Sequence, residues 1–363
     1  SIDDIVKLNR ILNPASLYAG QQLVIPVDTM EQDVGSAELR NVIQPGDTLL
    51  GLAAQYRINP WLLSRATGKQ EMLVMPGQLI QSTAANPIAG SSFISITVLP
   101  DAVLQGRTLE IEVELHTGYL PAADLDGMRL TFNQAGTGRF VALQGIEALT
   151  EVGMQTLSIC VQTEADGSPV YSIQQSIEIV SGGYGYDPIL YVSEESLDPE
   201  TTAVETEMVK AVVSVVTAER MWDSVFEFPT FFSESFPAVF GSRRNYNDQG
   251  YNSYHTGLDL YGNMTTEILS PANGVVVMVE ELPARGLATY IDHGWGVFSG
   301  YGHQSEIFVQ VGDRVATGQL IGIVGASGRV TGPHLHWEIN VGGIAVDPIE
   351  WTQRVFPYSL SAE

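Results

Sequence analysis

Two hydrophobic periodicities divide the chain. Between about Ser92 and Val180 apolar and polar residues alternate: Phe93 to Val98, Leu109 to Leu115, Met128 to Phe132, Gly138 to Leu143, Gln155 to Val161 and Ser172 to Val180. Successive side chains of a strand face opposite ways, so each run predicts a strand with one buried side. The pattern then changes at Asp198-Pro199-Glu200, which opens a helix: Pro199 suits its first turn, and acidic residues favour its start. Val204, Met208, Ala211, Val212 and Val215 fall on one side of it, and it ends near Thr217 to Trp222. Beyond, Ile268, Val275 to Val279, Ala288 to Ile291, Ile307 to Val309, Leu320 to Val324 and Leu335 to Val341 predict short strands with glycine-rich turns.

These elements predict a multidomain, mainly β protein. The six or seven strands of residues 92–181, separated by Gly, Pro, Asp and Asn turns, suggest an immunoglobulin-like β-sandwich serving as a spacer or interaction domain. Ser181 to Pro188 is a flexible connection. The helix, within a linker spanning 194–222, is expected to brace the sandwich or the C-terminal sheet; a plug over a site is the alternative. Residues 226–358 form a mostly antiparallel sheet with a groove on one face. Near the start, Ala19 to Pro26 recurs as Met75 to Ile80, each copy after a short helical pattern. Pro45-Gly46-Asp47-Thr48-Leu49 is a turn leading into a helix, with Asp47 or Thr48 placed to cap it. This gives two small α/β modules, a partial one at 1–28 and a fuller one at 41–82.

Charge removes several functions. Seventeen Lys and Arg against 42 Asp and Glu give a formal charge of -25, the wrong sign for nucleic acid or an anionic membrane surface. No apolar run reaches the roughly 18 residues of a membrane span. The single cysteine, Cys160, excludes an intramolecular disulfide and reads as a strand residue. The chain begins at Ser1, within the first repeat, so the lack of a targeting segment is uninformative. Gly322 to Gly328 superficially resembles a phosphate loop, but no helix pattern follows it and Pro333 intervenes.

Five of the six histidines lie between Phe236 and Trp351. His334 and His336 begin an alternating run, so both imidazoles look into one space while Leu335 packs the other way. His255 and Asp259 flank a short bend at Gly257. A histidine nitrogen and a carboxylate oxygen, joined by a second histidine, form a common protein shell for catalytic zinc, with one position left for water. Two histidines then remain for proton transfer. His293, between Asp292 and Gly294, is expected to be structural, and His116, with no partner nearby in sequence, a surface residue.

The motifs Tyr254-His255-Thr256-Gly257-Leu258-Asp259, Tyr301-Gly302-His303 and Gly332-Pro333-His334-Leu335-His336, in that order, resemble the lysostaphin- and LytM-type zinc endopeptidases of bacterial peptidoglycan. The resemblance covers about a third of the chain. It implies that His255, Asp259 and His336 hold Zn²⁺ and that His303 and His334 are the catalytic pair. It also implies a tyrosine from the loop before the first ligand, where Tyr246, Tyr251 and Tyr254 all stand. The segment 41–82 resembles the LysM module, a βααβ unit that binds N-acetylglucosamine glycans. Where the first copy has Leu8-Asn9, the second offers Ala66 or Thr67, which loses a polar side chain after the helix.

Together these resemblances imply an extracytoplasmic enzyme, secreted or held in the wall or envelope, that hydrolyses peptidoglycan cross-links or stem peptides and is targeted by its glycan-binding modules. One alternative is a non-catalytic envelope protein that activates other hydrolases. Relatives of that kind typically lack members of the metal set, whereas all five groups are present here. A second alternative, a protein or free-peptide substrate, is disfavoured by the LysM-like segment.

Overall fold

The structure is a computed structural model and describes residues 39–42, 79–82, 93–100, 102–231 and 236–358. The expected module at 1–28 lies outside the described residues. Of the module at 41–82 only the ends lie within them, in strands β1 (Leu39–Val42) and β2 (Leu79–Ser82). These pair antiparallel, from Leu39 opposite Ser82 to Val42 opposite Leu79.

The alternating region supplies β3 (Phe93–Leu99), β4 (Ala102–Leu104), β5 (Thr108–Leu115), β6 (Tyr119–Leu125) and β7 (Met128–Leu130). It continues with β8 (Asn133–Gly136), β9 (Arg139–Gly145), β10 (Gly153–Thr163) and β11 (Pro169–Val180). The chain divides into two compact units. One holds residues up to 97 with 114–126 and 156–176, and the other holds 98–113, 127–155 and 177–363. In the first, β6 and β10 pair antiparallel, and His116 is exposed, as expected. Cys160 lies in β10.

In the second unit β4 runs parallel to the end of β11, and β5, β9 and β8 are neighbours in one sheet. Strand β9 is buried on both faces after Arg139, because Val141 and Leu143 join the hydrophobic cluster of the C-terminal sheet. An alternating sequence there reports the pleat but not the second burying layer.

Asp198 caps helix α1 (Pro199–Val213) by accepting from the Thr201 amide, and Pro199 occupies its first turn. The helix therefore starts where expected and ends sooner. Its packing face differs from the expected one. Val204 (60% exposed), Met208 (40%) and Val215 (53%) face outward, whereas Glu205, Val209 and Val213 are buried. Val209 and Val213 pack on Met278, Leu282, Ala288, Tyr290 and Phe298, so α1 braces the C-terminal sheet. Glu205 sets this rotation, since its carboxylate meets amides and a guanidinium that no apolar side chain would satisfy.

The C-terminal strands are β12 (Arg243–Arg244), β13 (Ser253–Tyr254), β14 (Leu258–Tyr261), β15 (Glu267–Leu269), β16 (Gly274–Leu282) and β17 (Gly286–Gly294). After them come β18 (Val297–Ile307), β19 (Arg314–Val315), β20 (Leu320–Val324), β21 (His334–Val341), β22 (Ile344–Val346) and helix α2 (Pro348–Gln353). Nine of the strands form one antiparallel sheet with the path β14-β21-β18-β17-β16-β19. Strand β20 joins β18 to β15, and β22 lies on β21. Leu258, Leu260, Leu335, Trp337, Ile339 and Val341 enter the core with Trp222, Phe226, Trp351 and Phe356. Period two then turns Asp259, His334, His336 and Glu338 to the opposite face.

Candidate metal centre

Strand register assembles the site. Asp259 on β14 stands opposite His336 on β21, and Tyr261 opposite His334, so the carboxylate and the imidazoles share a face. His255 precedes β14 and is drawn in by the bend at Gly257. That residue must lack a side chain, because a Cβ there would lie 2.4 Å from the Trp337 carbonyl oxygen and 2.8 Å from His336 Cε1. His303 sits at an irregularity of β18 with φ +62, a left-handed conformation that redirects its side chain away from the regular pleat. Its amide donates to the Arg285 carbonyl (2.7 Å).

His255, Asp259 and His336 form the one group of three or more potential metal-binding side chains among the described residues. His255 Nε2 lies 2.9 Å from Asp259 Oδ1 and 2.9 Å from His336 Nδ1, and the third side, His336 Nδ1 to Asp259 Oδ1, is 3.0 Å. The outer nitrogens fix the tautomers. His255 Nδ1 donates to the Val239 carbonyl (3.0 Å), and His336 Nε2 donates to Glu338 Oε1 (3.0 Å). The inner atoms are then two lone-pair nitrogens and a carboxylate oxygen, three acceptors without a donor. A cation at the centre would satisfy all three, and two imidazoles with one carboxylate are a donor set that fits Zn²⁺.

Electrostatics point the same way. Burial works against charge on Asp259, but His255 and His336 outweigh it and hold its carboxyl well below the usual range. Arg244 donates to Asp259 Oδ2 (2.9 Å) and to Asp187 (3.2 Å), leaving Oδ1 for the centre. Burial lowers His255 to about 4. It also opposes charge on His336, yet hydrogen bonds to Asp259 and Glu338 raise that group above its ordinary value.

The two remaining imidazoles lie beside this cluster, with ring centroids of His303 and His334 4.8 Å apart and of His303 and His336 5.8 Å apart. Each is tethered at Nδ1 by a backbone carbonyl, His303 by Ser327 (2.8 Å) and His334 by Gly332 (2.8 Å). Each therefore presents Nε2 as an acceptor, and that of His334 is 3.6 Å from Asp259 Oδ1. Burial, with the neighbouring His334 and His336, keeps His303 well below the ordinary histidine range. His293 is apart from them: fully buried, it joins the Asn273 carbonyl to the Ser299 hydroxyl, at 2.7 Å each.

Of the three loop tyrosines, Tyr246 is linked to the ligands, since its hydroxyl accepts from Arg244 (3.3 Å). Tyr251 bonds the Asp187 carbonyl and Tyr254 bonds Glu147. Sequence reasoning missed Arg244, Arg285 and Glu338. Glu338 was within reach, two residues beyond His336 on the same strand face. The two arginines carry no comparable local signal.

An antiparallel sheet thus carries the His/Asp/His cluster on one face, with two anchored imidazoles alongside. Residues 253–348 match Peptidase family M23, and residues 1–26 and 42–81 match the LysM domain; the chain carries both. Over 96 residues it is 41% identical to the peptidoglycan DD-endopeptidase ShyA of Vibrio cholerae serotype O1, covering 26% of this chain and 22% of that protein. Over 89 residues it is 39% identical to the murein hydrolase activator EnvC of Escherichia coli K12, covering 24% and 21%. The matches thus span about a fifth of the length of these relatives. A Pseudomonas aeruginosa crystal structure assigned to peptidase M23 aligns over 69% of this chain and 94% of its own, with 24% identity and a TM-score of 0.48.

Proposed function

We propose that the chain is a zinc-dependent endopeptidase that hydrolyses peptide bonds of bacterial peptidoglycan, outside the cytoplasmic membrane. The observation that carries this reading is the triangle of inward acceptors on His255, Asp259 and His336 with the tethered imidazoles of His303 and His334 beside it. Zinc held by the triangle would supply Lewis-acid polarisation of the scissile carbonyl and a lowered pKa for the attacking water. His303, kept neutral, accepts a proton at Nε2. That same proton is then passed to the leaving amine, directly or by way of His334, whose unprotonated Nε2 lies on the more open side. Arg244 and Glu338 hold Asp259 and His336 in orientation throughout. The LysM match and the name of ShyA support peptidoglycan as substrate, with the LysM modules retaining the chain on glycan. Among the described residues no helix is long and apolar enough to cross a membrane.

The similarity to EnvC favours a second reading, a wall-bound activator of other hydrolases. The two separate on one experiment. Peptidoglycans of several cross-bridge types are incubated with zinc-loaded protein, His303→Ala protein and chelator-treated protein, and the products are read by mass spectrometry. New peptide termini that vanish in both controls support the endopeptidase and identify the bond. No cleavage by zinc-loaded protein, with faster release by an added wall hydrolase, supports the activator.

A further inference from the structure

Glu205 is a buried carboxylate (1% exposed) in the middle of α1, 48 residues before the start of the M23 match, counting from 205 to 253. Burying an anion on a packing face is costly unless it is fully bonded. The helix has more apolar alternatives in Val204 and Met208, and leaves them in solvent to seat Glu205 instead.

What Glu205 grips is the turn between β16 and β17. It accepts from the amides of Ala284 (2.6 Å) and Arg285 (3.3 Å) and from Arg285 Nη1 (2.8 Å). The far side of the same guanidinium donates to Glu338 Oε1, from Nη2 at 2.7 Å and Nε at 3.2 Å. That oxygen also accepts from His336 Nε2 (3.0 Å). Negative, positive, negative and imidazole groups therefore alternate from the helix to the inner triangle.

The turn has a second branch. The Arg285 carbonyl accepts from the amide of His303, and the Ala284 carbonyl from that of Arg329 (2.8 Å). Ser327, whose carbonyl tethers His303 Nδ1, is bound through its hydroxyl to the Leu287 amide (2.9 Å). One turn thus holds both His336 and the left-handed backbone of His303. Three of its donors, the Ala284 and Arg285 amides and the Arg285 guanidinium, are held by a single carboxylate on α1.

We propose that Glu205 is a positioning residue of the metal centre, acting through Arg285 on His336 and His303, so that α1 belongs to the catalytic unit. The proposal rests on the zinc reading above. It is tested in the full chain with Glu205→Gln, Arg285→Lys and Val209→Ala. Gln keeps the size of Glu205 but not its charge, and Lys keeps the charge of Arg285 but not its two-sided fork. Val209→Ala loosens the same helix without touching the relay. Zinc affinity is measured by chelator competition, coordination by the visible absorption of the cobalt(II)-substituted protein, and stability by thermal melting.

Glu205→Gln and Arg285→Lys are expected to weaken zinc binding about 10- to 100-fold and to shift the cobalt bands. Val209→Ala should lower the melting temperature with affinity and spectrum unchanged. If wild type binds zinc and both relay variants bind it equally well with the same cobalt spectrum, Glu205 serves packing alone and the proposal is overturned. If one relay variant fails to fold, the other decides in the same way. A wild-type chain that takes up no zinc overturns the metal reading and this proposal together.

Discussion

His255 Nε2 and His336 Nδ1 face each other across 2.9 Å, and neither carries a proton in the tautomers fixed by Val239 and Glu338. A proton and a divalent cation therefore compete for one place. The raised pKa of His336 makes it the proton's holder, whereas His255, at about 4, and Asp259, far below its ordinary value, hold none above pH 5. Zinc uptake should release one proton where His336 is charged, with affinity rising up to about tenfold per pH unit there and levelling off above its pKa. Calorimetry of zinc binding in buffers of different ionisation enthalpy reads this directly. An affinity independent of pH between 5 and 8 would show that His336 carries no extra proton in that range.

Ligand and proton-transfer roles predict different losses. Asp259→Asn keeps the shape but removes the anion that two histidines and Arg244 share, so the purified protein should lose its zinc. His303→Ala leaves the triangle intact and should keep zinc while kcat falls about 10²- to 10⁴-fold. Metal analysis alongside peptidoglycan turnover separates them. A His303→Ala protein without zinc would move that residue into the ligand set.

A third expectation concerns stability away from the site. Burial raises Glu350 to about 7, offset only in part by Arg107 and by the Thr108 amide, which donates to its carboxylate. Its folded value exceeds the ordinary 4.5, so between pH 4.5 and 7 the folded state binds more protons than the unfolded one. Stability therefore falls as pH rises through this window, and the full cost, on the order of 3 kcal/mol, is present above pH 7. Glu350→Gln should melt well above wild type at pH 8 and close to it at pH 4.5. A gap that does not change with pH would rule out ionisation of Glu350 as its source.

What the sequence showed and what it hid divide along physical lines. His334 and His336 were legible because a strand's period is two, and Asp198-Pro199 because helix starts are decided by adjacent residues. The rotation of α1 was not legible. Its apolar stripe named Val204, Met208 and Val215, yet one carboxylate with three donors waiting at Ala284 and Arg285 turned the helix the other way. Arg244 and Arg285 stayed hidden for the same reason: their partners, Asp187, Asp259, Glu205 and Glu338, are 15 to 80 residues away in sequence. Hydrophobic periodicity reports which side faces a core, whereas pairing of buried charges is decided by tertiary register. The alternation of β9 misled similarly, since Val141 and Leu143 meet a second layer that no local pattern announces.

Gly257 offers a test of the close approach on which the site depends. Its φ is not in the left-handed region, so alanine there meets no conformational penalty and any effect is steric. The added Cβ would stand 2.4 Å from the Trp337 carbonyl oxygen, a backbone atom that cannot retreat without disturbing the pairing of β14 with β21. It would also press on His336 Cε1 at 2.8 Å. Gly257→Ala should therefore cost about 3 kcal/mol in urea unfolding and weaken zinc binding as well. Gly332, where an added Cβ meets nothing within 4 Å, is the control, and Gly332→Ala should stay within about 0.5 kcal/mol of wild type. Equal stability and equal zinc affinity in the two variants would mean that β14 can draw back from β21, and that the 2.9–3.0 Å triangle is not held by their register.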